Sequence, residues 1–147
     1  MTVVSRAEAT WTGTLLEGNG EVSAATSRAF ASLPVTWSAR TVDHGDLTSP
    51  EELLAAAHAS CFSMQFSSLL AKAGTPAERL DVAADVTFEK LEGGWSVTMS
   101  AITVTGRVPG VSAGDFAALA ESAKDGCPIS RAIKGNVALS VHATLEA

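Results

Sequence analysis

The order of predicted elements along this chain is that of an α+β fold: strands, a long helix, two strands, helices and a final strand. The prediction rests on period-two alternation of apolar residues in the segments read as strands and on a long apolar segment between clear helix start and stop signals. The chain has 147 residues, of which 46% are hydrophobic and 18% charged. These values suit one compact domain spanning residues 1–147.

The N-terminal third has the pattern of short strands. In residues 7–15, Ala7, Trp11 and Leu15 fall on one face and polar residues on the other, which predicts a strand. Glycines at residues 18–20 indicate a turn. A weaker strand is expected at residues 35–39, followed by a polar loop at residues 41–48.

The longest apolar segment predicts a buried helix. Ser49 is a suitable N-cap, Pro50 suits the first helical position, and Glu52 follows three residues after the cap. Gly74 and Pro76 provide the stop. The helix is apolar over most of its circumference, so we expect it to be buried on several sides. Its polar side chains argue against a membrane span.

The second half predicts a hairpin, two helices and a last strand. Residues 81–89 and 95–104 alternate on either side of Gly93-Gly94, and the apolar phase shifts near Ile102, which predicts a bulge or a second buried face. Ser112 is expected to cap a helix whose inward face includes Phe116 and Ala120. A short helix after residue 127 and a strand over residues 137–145 complete the order.

Composition and charge exclude several function classes. The formal net charge is −6, which disfavours nucleic acid and anionic membranes as partners. The first residues turn polar before any apolar segment of signal-peptide length, so a cytoplasmic protein is expected. The three histidines show no paired metal spacing and there is no CxxC, so neither a metal nor another cofactor is expected.

The only two cysteines are the candidate reactive groups. Cys61 lies in the middle of the apolar helix, and Cys127 directly precedes a proline at a predicted helix start. Most free cysteines are small buried hydrophobes, and a buried thiol has a raised pKa and little reactivity. A shift of the pKa from about 8.5 to about 5.5 requires about 4 kcal/mol, for which a nearby arginine is the natural source.

Neighbouring charged residues have ordinary structural explanations too. Arg40 ends the segment VTWSAR and reads most simply as a solvated arginine at a strand end. Glu51 lies in the first helical turn, where the helix dipole favours acids. Ten residues separate Glu51 from Cys61, about 15 Å of helical rise, so a bridging group or a second subunit must join them if both serve one site. His58 is expected to be a hydrogen-bonded core histidine.

The run SPEELLAAAHASCFSM resembles the first cysteine motif of the OsmC/Ohr family of thiol-dependent peroxidases, and GCPISRAI resembles the second. The resemblance extends over residues 10–145 and is closer to the OsmC branch. It implies antiparallel sheets wrapped around long central helices in an intertwined homodimer. It also implies a peroxidatic role for Cys61 and a resolving role for Cys127. Arg40 would activate the thiolate, and Glu51 would position Arg40.

The activity implied by this resemblance is reduction of organic hydroperoxides, with hydrogen peroxide as a further oxidant, through a sulfenic acid and a Cys61–Cys127 disulfide. A dithiol of the lipoyl type is the implied reductant. Phe62 and Met64 would suit an apolar peroxide, although Met64 also fits plain core packing. The alternatives are a non-catalytic thiol redox sensor and a dimer that binds a small apolar ligand.

Overall fold

The computed structural model describes residues Met1–Ala147, and the chain has the predicted α+β fold. It divides into two compact units, Met1–Pro50 and Glu51–Ala147, which are described separately. The prediction of a single domain remains a prediction.

The N-terminal unit contains a three-stranded antiparallel sheet in the order β1-β2-β3. Its strands are β1 (Ala7–Thr12), β2 (Asn19–Ala24) and β3 (Leu33–Val35). Trp11 pairs with Gly20 across the β1–β2 ladder. A Cβ at Gly20 would lie 2.8 Å from the Trp11 ring, so only glycine leaves room for the indole there.

A short helix, α1 (Trp37–Thr41), follows β3. The expected strand at residues 35–39 is therefore wrong beyond Val35. Thr36 is extended, and its side-chain oxygen accepts a hydrogen bond from the Ala39 N–H at 3.1 Å. This N-cap overrides the weak β-pattern, because it satisfies a backbone donor that a helix start would otherwise leave unpaired.

The long helix α2 (Pro50–Lys72) begins and ends where the sequence predicts, with Gly74 at a φ of +82° just beyond it. Its buried stripe comprises His58, Phe62, Phe66 and Leu70, each four residues after the last. By length and composition α2 could cross a membrane, but this stripe packs in the core of the C-terminal unit.

The expected burial of α2 on several sides is not found within one chain. Beyond the first turn, the only fully buried positions of α2 are those of the stripe, and Met64 on the outer face is 72% exposed. The face of α2 opposite the stripe, with Ala56, Ser60, Met64 and Ser67, is therefore uncovered in the single chain.

The C-terminal unit is built on a second three-stranded sheet. Strands β4 (Arg79–Leu91) and β5 (Gly94–Arg107) form an antiparallel hairpin in which Leu91 pairs with Gly94. A bulge was one of two alternatives expected near Ile102, and one is found four residues earlier: Thr87 pairs with Met99 and Phe88 with Val97, so Thr98 of β5 is extra. Beyond the bulge the buried positions of β5 include Ser100, Ile102 and Val104.

The last strand, β6 (Ala138–Leu145), pairs parallel to β5, so the sheet order is β4-β5-β6 and the expectation of purely antiparallel sheets is wrong here. Two helices, α3 (Ala113–Gly126) and α4 (Pro128–Ile133), occupy the connection between β5 and β6. A helical crossover returns the chain to the end of the sheet where it started, and the next strand then runs parallel.

Aromatic rings join α2 to α3 in the core. The Phe66 centroid lies 5.5 Å from that of Phe62 and 4.9 Å from that of Phe116 on α3. Phe116 also contacts β5 closely, since a Cβ at Gly106 would lie 2.5 Å from its ring. Ser112 caps α3 as predicted, with its hydroxyl accepting from the Asp115 N–H.

His58 is confirmed as a hydrogen-bonded core histidine. Its imidazole is fully buried, with Nδ1 2.6 Å from the Ser100 hydroxyl and Nε2 2.7 Å from the Ser130 hydroxyl. Burial lowers the pKa of His58 below its usual 6.5, because desolvation disfavours the imidazolium. The folded protein thus holds a neutral ring that donates through one nitrogen and accepts through the other.

This lowered pKa makes stability depend on pH. Below pH 6.5 the unfolded chain binds a proton at His58 more readily than the folded chain does, so the free energy of unfolding should fall as pH falls. In His58→Gln, which has no proton to gain, the loss between about pH 7.5 and about pH 5.5 should be smaller. The urea midpoints of the wild type and His58→Gln at the two pH values measure this loss of stability. An equal loss in both proteins would contradict the prediction.

Candidate active site

The fold brings the two cysteines together. Cys61 is half-buried on α2, Cys127 is fully buried, and both are free thiols. Cys61 packs against the core cluster that contains Cys127, and Cys127 is near enough to raise the pKa of Cys61, although the two residues lie far apart in sequence. Two neighbouring thiols can form a disulfide when their Cβ atoms lie about 3.5–4.5 Å apart.

Cys127 is held at the junction of α3 and α4. Its N–H donates to the Ala123 carbonyl at 2.8 Å, and its carbonyl accepts from the Arg131 N–H at 3.0 Å. Its ψ of 124° is extended, as expected for a residue before proline, and Pro128 takes the first helical position. The residue therefore closes one helix and opens the next, which fixes its backbone on both sides.

Gly126 allows this junction to approach α2. A Cβ at Gly126 would lie 2.9 Å from the Gln65 side-chain nitrogen, one turn beyond Cys61. The absence of a side chain thus leaves room for the junction beside the cysteine helix.

The contacts of Cys61 oppose one another. Burial is the largest influence and raises the pKa of the Cys61 thiol, and the hydrogen bond to Cys127 raises that pKa further. The Ile129 N–H donates to the Cys61 sulfur and lowers the pKa, because this bond favours the thiolate. The net direction is upward, so these contacts favour a protonated thiol.

Glu51 is buried in the first turn of α2, at 7% exposure. Ten residues of helix, about 15 Å, separate it from Cys61 on the same helix. The structure does not bring these two side chains together within one chain.

Arg40 belongs to the N-terminal unit, where it lies in the last turn of helix α1. Its guanidinium carbon lies 5.4 Å from the centroid of the Trp37 ring, within the range of a cation–π contact. Arg40 and Trp37 border a cleft of about 290 Å³. The other lining residues are mostly apolar: Trp11, Leu15, Val35, Thr36 and Pro50.

The two residues suggested to bind an apolar peroxide lie on different faces of α2. Phe62 is fully buried in the aromatic core, whereas Met64 is exposed on the outer face of α2, so its interpretation as core packing is wrong for the single chain. The structure also adds groups that the sequence did not suggest: Ser100 and Ser130 on His58, and the Ile129 N–H on Cys61. Ser130 carried one signal, since it lies one turn after Cys127.

No group of three or more histidine, cysteine, aspartate or glutamate residues is arranged to hold a metal ion.

The chain is similar to proteins of one known family. Residues 43–142 match the family described as OsmC-like protein. The chain is 36% identical over 139 residues to Peroxiredoxin OsmC of Escherichia coli strain K12, covering 95% of this chain and 96% of the relative. It is 32% identical over 95 residues to organic hydroperoxide resistance protein OhrA of Bacillus subtilis strain 168, covering 65% of this chain and 66% of that protein.

Solved structures share the fold. The organic hydroperoxide resistance protein OhrB of Bacillus subtilis superposes with a TM-score of 0.73 at 20% identity, covering 96% of this chain and 98% of that one. The OsmC protein of Legionella pneumophila gives 0.71 at 22% identity, with 97% and 99% coverage. With a matching family description over most of its length, the chain belongs to the OsmC-like protein family.

Proposed function

We propose that this protein is a cysteine-based peroxidase that reduces organic hydroperoxides to alcohols, with hydrogen peroxide as a further oxidant. The observation that supports this most is the contact between the Cys61 and Cys127 thiols in a chain related to proteins named peroxiredoxin and organic hydroperoxide resistance protein.

In the proposed reaction the Cys61 thiolate attacks the terminal oxygen of the hydroperoxide. The O–O bond breaks, the alkoxide takes a proton and leaves as the alcohol, and Cys61 becomes a sulfenic acid. The Cys127 sulfur then attacks the Cys61 sulfur, forming the disulfide and releasing water. The Cys61–Cys127 contact suits this second step, because the attacking sulfur is already adjacent.

An external dithiol completes the cycle by thiol–disulfide exchange. A lipoyl-type dithiol, free or on a protein, is the proposed reductant. We place the reaction in the cytoplasm, where disulfides are continually reduced. The two electrons that reduce the peroxide come from the cysteine sulfurs and are restored by the external dithiol, so no cofactor is assigned a role.

Substitution of each cysteine should separate the two steps. One equivalent of cumene hydroperoxide without reductant should lower the mass of the wild type by about 2 Da, because a disulfide forms. Cys61→Ser should not react with the peroxide. Cys127→Ser should consume one equivalent, retain a trappable sulfenic acid and lose turnover with dihydrolipoamide. Mass spectrometry and peroxide assays measure these outcomes.

Retained turnover in Cys61→Ser would contradict the peroxidase proposal. A disulfide that forms only slowly in the wild type, with no sustained peroxide consumption under excess dithiol, would identify a redox sensor instead.

Activation of Cys61 needs a positive charge in this proposal. The contacts within the C-terminal unit raise its pKa, so they do not by themselves generate a thiolate at neutral pH. Arg40 is the proposed source: it stays charged at all relevant pH values and offers several donors to a thiolate and a peroxide oxygen. The family resemblance supports this assignment.

Arg40→Ala should therefore raise the pKa of Cys61 and slow its reaction with peroxide by roughly 10- to 100-fold, the effect of losing one hydrogen bond to a charged group. The pH profile of iodoacetamide alkylation measures the first effect, and stopped-flow peroxide reduction measures the second. Arg6→Ala is the control, because Arg6 is 72% exposed and paired with Glu8 on the surface. If the alkylation profile of Arg40→Ala matched that of Arg6→Ala, Arg40 would have no part in activation.

The cleft beside Arg40 supports an apolar organic group on the substrate. Two indole rings and aliphatic side chains line it, and its volume of about 290 Å³ suits a small aromatic or short alkyl substituent. We propose that this group enters the cleft while the peroxide oxygens meet the guanidinium.

We also propose a homodimer. The outer face of α2 is uncovered in the single chain and carries small side chains around Met64, which is 72% exposed. A second copy would cover this face. It would also explain how Glu51 contributes to the site although it lies far from Cys61 along the same helix, because the partner subunit's Glu51 would position the Arg40 guanidinium.

The dimer is testable by mass in solution. Light scattering after size exclusion should give twice the 15.0 kDa of one chain. Met64→Glu should shift the protein toward the monomer, because it puts charges in the apolar interface. Val3→Glu is the control, since Val3 is 81% exposed and precedes the first strand. A wild type that stays at 15.0 kDa at micromolar concentration would contradict the dimer.

A further inference from the structure

The His58 network connects three elements around the cysteine pair. His58 lies on α2, Ser100 on β5 and Ser130 on α4, and both serine hydroxyls lie within 2.7 Å of the imidazole nitrogens. All three side chains are at most 1% exposed. A buried polar group of this kind destabilises the fold unless every partner is present, so each hydrogen bond restricts the position of the element that carries it.

The Ser130 bond is next to the cysteine contact. Cys61 follows His58 by one turn on α2, and Cys127 precedes Ser130 by one turn on α4. The two helices are thus linked by two neighbouring polar contacts, His58 to Ser130 and Cys61 to Cys127. A third contact, from the Ile129 N–H to the Cys61 sulfur, lies between them in the sequence of α4.

Helix α4 depends on such contacts for its position. It has six residues, far below the length at which an isolated helix is stable. Its N-cap, Cys127, makes no side-chain capping bond. Of the two serines on the imidazole, only Ser130 belongs to the helix that Cys127 precedes as its N-cap.

We propose that His58 is a positioning residue for the disulfide step: through Ser130 it holds α4 so that the Cys127 sulfur stays within reach of the oxidised Cys61. The inference rests on the proposed peroxidase cycle. His58 exchanges no proton with the sulfurs, because both of its ring nitrogens are engaged by the serines. The step is the condensation described above, in which the S–S bond forms and water leaves.

Ser130→Ala and Ser100→Ala form a matched pair. Each removes one hydroxyl from the same buried imidazole, so both should lower thermal stability to a similar degree. Only Ser130→Ala frees α4, and it should slow disulfide closure about tenfold, the effect of one lost hydrogen bond. Closure in Ser100→Ala should stay near the wild-type rate.

Two substitutions of the histidine provide a rescue test. The amide nitrogen of glutamine takes the place of Nε2 and can reach Ser130, whereas that of asparagine takes the place of Nδ1 and reaches only Ser100. His58→Gln should therefore retain most of the closure rate, and His58→Asn should be as slow as Ser130→Ala. Quenched-flow trapping of the sulfenic acid after one equivalent of cumene hydroperoxide measures closure.

A second readout does not require peroxidase activity. Equilibration with reduced and oxidised dithiothreitol gives the tendency of Cys61 and Cys127 to form their disulfide, and Ser130→Ala should shift it about tenfold toward the dithiol. If the wild type consumed no peroxide while this shift appeared, the proposed function would fail and the positioning role would stand. Equal effects of Ser130→Ala and Ser100→Ala, or no effect of Ser130→Ala, on both readouts would overturn the inference.

Discussion

The contact between Cys61 on α2 and the start of α4 is the interaction on which the site depends. It places a half-buried thiol against a second thiol and a backbone N–H, in surroundings whose net influence raises its pKa. Such a pair suits disulfide formation, but the contacts within the C-terminal unit raise the pKa of Cys61 and so do not favour its thiolate. The proposed arginine supplies what this environment lacks, a charge that favours the thiolate.

Two residues next to Cys127 in the sequence make this contact possible. A proline after Cys127 keeps that residue extended and starts α4, and a glycine before it leaves room beside Gln65 on α2. Helices α3 and α4 lie in the crossover that returns the chain to pair β6 parallel to β5. The parallel strand and the cysteine junction are therefore parts of one connection.

Much of the fold was predictable because its signals are local. Ser112 as an N-cap, Gly74 beyond the end of α2 and the bulge in β5 follow from side-chain chemistry and apolar period within a few residues. The strand expected at residues 35–39 failed for a local reason as well, since one threonine N-cap outweighed a weak alternating pattern. The direction of β6 could not be predicted from nearby residues, because it depends on the path of the two-helix crossover that precedes the strand.

By itself the sequence identified the candidate reactive residues: two cysteines, one before a proline and one on an apolar helix, in motifs whose resemblance indicates a thiol peroxidase. It also determined that His58 would be a hydrogen-bonded core residue. Only the tertiary structure decided that the two thiols are neighbours, that Ser100 and Ser130 hold the imidazole, and that the Ile129 N–H lowers the pKa of Cys61. These contacts join residues of α2, β5 and α4, and such pairings arise only from packing.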